Sequence, residues 1–416
     1  MLTIAFPPYS VLYPTQIGLN ASLKTVESRT AAASGLAPEP AYRVAISGSY
    51  GGINLGDEAI LEAIIMQLRE VQRVEITVFT RDPDDTKTRH HVERAVAIRD
   101  MSREEARVEI ERLDLLILGG GGILYDRDAE FYLREVVLAN GMGVPVIVYA
   151  VSAGPLTETS VREQVVQALE DVAILTVRDR QGQHLLEEVG LHREIKVTAD
   201  PALLLEAEPF PAAALKNEGL NPNKRLVGFS VREPGPAAPD IDVAHYHALL
   251  ANAADFMIDR LDAEIVFVPM ERRKMDLQHS HAVIAEMQGA GHATVLKGEY
   301  SVRQMIGLIK HFEFAVGMRL HFLIFAALTG VPFVALPYAS KVTGLIEDLE
   351  MEMPPIGDVN TGRLIATIDR SWDHRDAIRA GIQRRLPRLQ ERARETHLLL
   401  VELLTKTRSD VPSNKA

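Results

Sequence analysis

Short, nearly continuous apolar runs alternate with helix-like segments along most of this chain. The runs "RVAISG", "VEITVFT", "LDLLILGGGG", "PVIVYAVSAG", "AILTVRDR" and "IKVTADPALLL" carry Val, Ile and Leu at successive positions, and segments such as "DEAILEAIIMQLREV" and "VREQVVQALEDV" lie between them. A strand that is apolar at nearly every position must be covered on both faces, and parallel pairing needs a crossover between consecutive strands, usually a helix. The alternation predicts a parallel α/β sheet.

The alternation pauses at "EAEPFPAAALKNEGLNPNK", where prolines, a glycine and asparagines break the pattern, and then resumes with "RLVGFSVRE", "AEIVFVPM", "ATVLKG" and "FEFAVGMRL". With 416 residues the chain exceeds what one hydrophobic core serves. The expected architecture is two doubly wound Rossmann-like domains, residues 42–206 and 222–370, facing a cleft, followed by C-terminal helices and a tail over 371–416. Residues 1–41, rich in small residues and proline without periodicity, read as a mobile extension. Pro387 is expected to kink or split the last helical segment.

Composition narrows the function classes. A net charge of −12, from 45 Lys and Arg against 57 Asp and Glu, argues against a general nucleic-acid binder. The chain has no cysteine, which removes disulfides, thiolate metal sites and a cysteine nucleophile, and fits a cytoplasmic protein. The opening residues lack a basic start and are broken by Pro7, Pro8 and Pro14, so they make a poor export signal. The apolar stretch from Phe322 to Ala339 approaches a membrane span in length, but Gly330 and Pro332 divide it into a helix-length and a strand-length piece. No transmembrane segment is expected.

In open parallel sheets, ligands bind beyond the carboxyl ends of strands, where loops offer backbone N–H groups and the next helix points its N-terminus. The first such place is "SGSYGGINLGDEAIL", Ser47 to Leu61, with glycines at 48, 51, 52 and 56 and Asp57 as a natural N-cap. Its spacing is not GxGxxG, so a dinucleotide site is poorly supported. Arginines recur at strand ends: Arg81, Arg178, Arg232 and Arg319. Their planar forks suit carboxylate and phosphate, so several around one cleft suggest a small polyanionic substrate. If residues 317–321 stay extended, Arg319 and His321 share one face while Met318 and Leu320 face the core. If instead they open a helix, a cation there opposes the helix dipole and needs compensation, which a bound anion would supply. Pattern alone leaves His321 open between a core histidine and a functional one.

Taken together and in order, "GSYGGINLGDEAIL", "TRDP", "LGGGGIL", "VRDR", "DPALLL" and "GMRLHFLIFAALTGVPFVALPYASKV" resemble the polysaccharide pyruvyl transferase family, over about residues 43–349. The resemblance implies a GT-B-like fold and transfer of the pyruvyl group of phosphoenolpyruvate to two hydroxyls of a sugar, forming a cyclic ketal and releasing phosphate. It implies a donor site of Arg178, Arg319, Lys341, Arg81 and Asn54, with "TRDP" departing slightly from the commoner serine-arginine form around Arg81. His321 would protonate the donor methylene and Asp57 is the candidate base for a sugar hydroxyl. Arg272 and Arg273 are candidates for the acceptor side. No metal and no cofactor is required, because arginines can neutralise the donor. The expected partners are phosphoenolpyruvate and a sugar acceptor, free or lipid-linked, at or near the inner face of the cell membrane. The alternatives are a GT-B glycosyltransferase using a nucleotide sugar, and a non-catalytic binding protein of a polysaccharide assembly complex.

Overall fold

Two parallel sheets are built from the alternating runs. The computed structural model describes residues 41–52, 54–71, 73–232, 242–271, 275–336, 340–352 and 360–409. The expected extension at the start of the chain and the candidate pair Arg272 and Arg273 lie outside the described residues.

The first sheet contains β1 (Tyr42–Ser47), β2 (Val74–Phe79), β3 (Arg94–Val96), β4 (Leu115–Leu118), β5 (Gly121–Leu124), β6 (Val146–Ala153), β7 (Ile174–Val177) and β8 (Lys196–Val197). Its order is β3-β2-β1-β4-β6-β7-β8, with β5 beside β6, and its pairings are parallel. The second sheet has β9 (Arg225–Ser230), β10 (Ala263–Phe267), β11 (Ala293–Val295), β12 (Phe314–Gly317) and β13 (Phe333–Ala335) in the order β11-β10-β9-β12-β13, again parallel. In both sheets the strand order reverses beside the first strand, between β1 and β4 and between β9 and β12. Those reversals open a crevice at the strand carboxyl ends. The glycine-rich loop and "GGGG" follow β1 and β4, and Arg319 and His321 follow β12.

The two halves adjoin through small side chains. On helix Leu55–Val71, Ala59 and Ala63 are buried in the same apolar cluster as the core of the second sheet, together with Ala199, Ala202, Leu203 and Leu205. Leu55 N donates to Met270 O at 2.9 Å, and Asn54 pairs as an antiparallel bridge with Glu271. The seam is thus closed by backbone as well as by packing.

The apolar stretch that approaches membrane length divides as its glycine and proline suggest. Helix Leu320–Thr329 ends at Gly330, which has φ +68°, and β13 follows. Among the described residues no helix is long and apolar enough to cross a membrane.

Pro387 does not split the C-terminal segment, which is one helix from Arg375 to Ser409. Losing one helical hydrogen bond costs about 3 kcal/mol, and the burial along this helix offsets that. Ile382, Leu389 and Ala393 join the cluster of the second sheet, whereas Leu400 and Leu404 join the cluster beneath β1 and β2. Arg392 donates to Asp348 at 2.8 Å and to Thr198 O at 2.6 Å, tying the helix to both halves. Leu400→Ala should therefore cost about 2–5 kcal/mol, seen as a lower midpoint in thermal or denaturant unfolding. An unchanged midpoint would show that the helix end does not hold the first half.

Candidate active site

The glycine-rich loop does not cradle an anion through Gly51. Its N–H donates to Glu58 Oε1 at 3.0 Å, and Glu58 Oε2 lies 2.8 Å from His90 Nε2, a pair buried under the loop. Gly51 has φ +72°, and a Cβ there would stand 2.3 Å from Thr80 Oγ1. Two further glycines make room for a ring: a Cβ on Gly48 would meet Tyr50 atoms at 2.5 Å, and one on Gly119 would meet the Tyr50 hydroxyl at 2.0 Å. The glycines serve loop curvature and the burial of Tyr50.

The helix starts three residues earlier than the N-cap reading of Asp57 requires. Leu55 is its first residue, and Asn54 Oδ1 accepts from Gly56 N at 3.0 Å, so Asn54 is the cap. Asp57 stands within the first turn, free of cap duty. Burial pushes its carboxyl above the usual range; His321 and Lys341 oppose that shift and Glu271 adds to it. All three of these neighbours come from the other half of the molecule.

Residues 317–321 also differ from the extended arrangement. β12 ends at Gly317, Arg319 caps helix Leu320–Thr329, and His321 is the second helical residue. The side chains still divide as alternation suggests, with Met318 and Leu320 buried and the other two partly open. The compensation for a cation at this helix start comes from the protein. Arg319 Nε donates to Asp276 Oδ2 at 3.0 Å, its Nη2 reaches Asp276 Oδ1, and Nη2 lies 3.0 Å from Glu271 Oε2. Asp276 also accepts from the backbone N–H groups of Met270 and Glu271, at 3.2 and 3.1 Å. Burial pushes the Asp276 carboxyl up, against the pull of Arg319.

His321 points across the seam. Its Nε2 lies 3.4 Å from Asp200 Oδ2, an ion-pair distance without hydrogen-bond alignment, and that oxygen accepts from Arg178 Nη1 at 2.8 Å. Asp200, just after β8, and Arg178, just after β7, are each 5% exposed. Burial works against ionisation of Asp200, but the charges of His321 and Arg178 outweigh it and hold the carboxyl well below the usual range. The neighbouring Asp179 caps helix Arg180–Val189 through Gly182 N at 2.7 Å and accepts from Ser152 Oγ at 2.9 Å. Lys341, near the start of helix Ser340–Asp348, reaches toward Gly122 of β5 and shares a cavity of about 30 Å³ with Arg178 and Asp200.

The structure therefore brings Asp57, Arg178, His321 and Lys341 together at one seam. Arg81 stands at the rim, donating to Ser49 Oγ and Tyr132 Oη at 3.2 Å each. Arg319 is turned toward its two carboxylates. Asp200, Glu271 and Asp276 carry no assignment from the sequence; Asp200 was visible within "DPALLL", but nothing local marks its partner 121 positions later. Among the described residues no group of three or more His, Asp or Glu side chains could hold a metal ion.

A family model described as polysaccharide pyruvyl transferase matches residues 54–340, from the cap Asn54 to the helix that carries Lys341. The chain belongs to that family. As a member of the polysaccharide pyruvyl transferases it is read as a transferase. No curated protein matches it in sequence. Among solved structures it is similar to MnaA of S. aureus in complex with UDP, with 10% identity, 90% of this chain and 100% of that chain covered, and a TM-score of 0.63. It is also similar to a glycosyltransferase from Rickettsia africae, at 10% identity, 89% and 100% coverage and a TM-score of 0.59. A third likeness is the UDP-GlcNAc 2-epimerase of Neisseria meningitidis bound to UDP-GlcNAc, at 10% identity, 88% and 100% coverage and a TM-score of 0.55. At such identities these establish the fold, which is GT-B.

Gly56 connects this pyruvyl transferase fold to its histidine. A Cβ on Gly56 would stand 2.1 Å from His321 Nδ1, although glycine in a helix costs about 1 kcal/mol relative to alanine. Gly56→Ala should lower the melting temperature of the unmodified protein and leave it unchanged or raise it in a His321→Ala background. Equal effects in both backgrounds, measured as a double-mutant cycle, would remove the imidazole as the reason for glycine.

Proposed function

We propose that this chain moves the pyruvyl group of phosphoenolpyruvate onto two hydroxyls of a sugar in a cell-surface polysaccharide or its precursor, forming a cyclic ketal and releasing phosphate. The observation that carries this reading is the seam itself: an imidazole, a buried guanidinium, an amine and a carboxyl of raised proton affinity meet where strand ends of both sheets face each other. Family membership supports a pyruvyl donor.

The chemistry assigns work to each group. Phosphoenolpyruvate carries a carboxylate and a phosphate, for which Arg178 and Lys341 are the cations at the seam, Arg81 the cation at its rim and Asn54 a neighbouring amide. Arg319 would join only by exchanging a protein carboxylate for the donor. His321 gives a proton to the methylene carbon, the C2 centre gains oxocarbenium character, and a sugar hydroxyl oxygen bonds to it as its proton passes to Asp57. The bond from C2 to the phosphate oxygen then breaks, and the second hydroxyl closes the ring. One hydroxyl proton ends, in net terms, in the new methyl group and the other on phosphate. A carboxyl with raised affinity for protons, such as Asp57, suits the accepting role near neutral pH.

The cavity shared by Arg178, Asp200 and Lys341, about 30 Å³, is smaller than the donor, which therefore extends beyond it. A lipid-linked acceptor would be reached from a cytoplasmic, membrane-peripheral position.

The test is phosphate release from phosphoenolpyruvate by the purified full chain across a panel of free and lipid-linked sugars. Acceptor-dependent release, lost in His321→Ala by a factor on the order of 10²–10⁴, is expected. No release with any acceptor, combined with turnover of a nucleotide sugar, would replace this reading with a glycosyltransferase.

A further inference from the structure

His321 has two ring nitrogens in different surroundings, and the difference selects which one works. We propose that Asp200 is the positioning residue for His321: its carboxylate faces Nε2 across the seam at ion-pair distance and leaves Nδ1 as the nitrogen that exchanges protons with the substrate. This rests on the pyruvyl-transfer reading only for the identity of the substrate.

Three observations lead here. First, Asp200 cannot turn away. Its Oδ1 accepts from Ala202 N at 3.0 Å while its Oδ2 accepts from Arg178 Nη1 at 2.8 Å, so the carboxylate plane is held from two sides before His321 is considered. Second, the opposite edge of the imidazole faces the first turn of helix Leu55–Val71. A Cβ placed on Gly56 would lie 2.1 Å from Nδ1, against 2.7 Å from Cγ and 2.9 Å from Cε1, so Nδ1 is the ring atom closest to that backbone. Asp57, the next residue, is electrostatically coupled to His321. Third, the contact joins the halves: Asp200 follows β8 of the first sheet, and His321 opens the helix after β12 of the second.

A neutral ring with its hydrogen on Nε2 donates toward Asp200 and keeps a lone pair on Nδ1. When protonated, that ring carries a hydrogen on Nδ1 to give. In the transfer, the Nδ1–H bond breaks as the π electrons of the donor methylene form the new C–H bond. The electron pair left on Nδ1 can then take a proton from solvent for the next cycle. Because the orienting carboxylate and the imidazole belong to different halves, the proton donor is oriented while the seam is closed, as it is in this structure.

The direct test needs no acceptor. In the full chain labelled with ¹⁵N-histidine, two-bond proton–nitrogen spectra report the hydrogen on each ring nitrogen, and the His321 signals are assigned by their loss in His321→Gln. The expected result is hydrogen on Nε2 of the neutral ring, and a shift toward a mixture of both forms in Asp200→Asn. Hydrogen on Nδ1 of the neutral wild-type ring overturns the proposal, without any variant being needed, and so does a wild-type distribution retained in a folded Asp200→Asn. With an acceptor in hand, Asp200→Asn should lower kcat by roughly 10²-fold, the lower end of what a positioned general acid supplies. The Michaelis constant for phosphoenolpyruvate should change far less, because the cations Arg178 and Lys341 are left in place. A change confined to that constant would make Asp200 a support for Arg178 instead. If the spectra come out as expected and no sugar is turned over, the substrate assignment fails and the pairing stands.

Discussion

One buried carboxylate, Asp200, faces a guanidinium of its own half and an imidazole of the other. Putting three ionisable groups out of water is costly unless their charges and hydrogen bonds match. Here Arg178 at 2.8 Å and His321 at 3.4 Å supply the match, and the carboxyl is held well below its usual range. Removing any one member leaves the others in a poorly solvated seam without their partner. The relative placement of the two sheets and the electrostatics of the site are therefore one problem with one solution.

Around that contact the remaining features supply rigidity or charge. Asn54 and Glu58 fix the glycine-rich loop by backbone hydrogen bonds, which brings Asp57 and Gly56 against His321. Glu271 and Asp276 take up the charge of Arg319, so the start of the histidine helix carries a neutralised cation in place of an exposed one. The C-terminal helix crosses behind both halves and limits how far they can separate. A GT-B framework is suited to such a division, with strand ends from two sheets converging on one crevice.

Much of the fold was legible in the residues. Strands apolar at successive positions, glycine after strand ends and helix-spaced runs between them follow from backbone geometry and burial, and these are local properties. What was not legible depends on distant partners. Nothing near Arg319 signals that its compensation comes from Asp276, 43 positions earlier, and a bound anion was the simpler expectation. The cap was misplaced by three residues because Asn54 and Asp57 are both good caps, and only the bridge from Asn54 to Glu271 fixes where the helix begins. Pro387 was expected to kink or split its segment, and the split is absent because burial against two cores outweighs one lost hydrogen bond. The residues of the seam were named from the family resemblance, whereas Asp200 emerges only from the geometry.

The central claim, proton delivery by His321 to the carbon of a pyruvyl donor, is tested most directly by isotope. When the transfer runs in deuterium oxide and the ketal product is examined by mass spectrometry and NMR, the account predicts a methyl group carrying one deuterium from solvent. A ketal methyl free of solvent deuterium would contradict it.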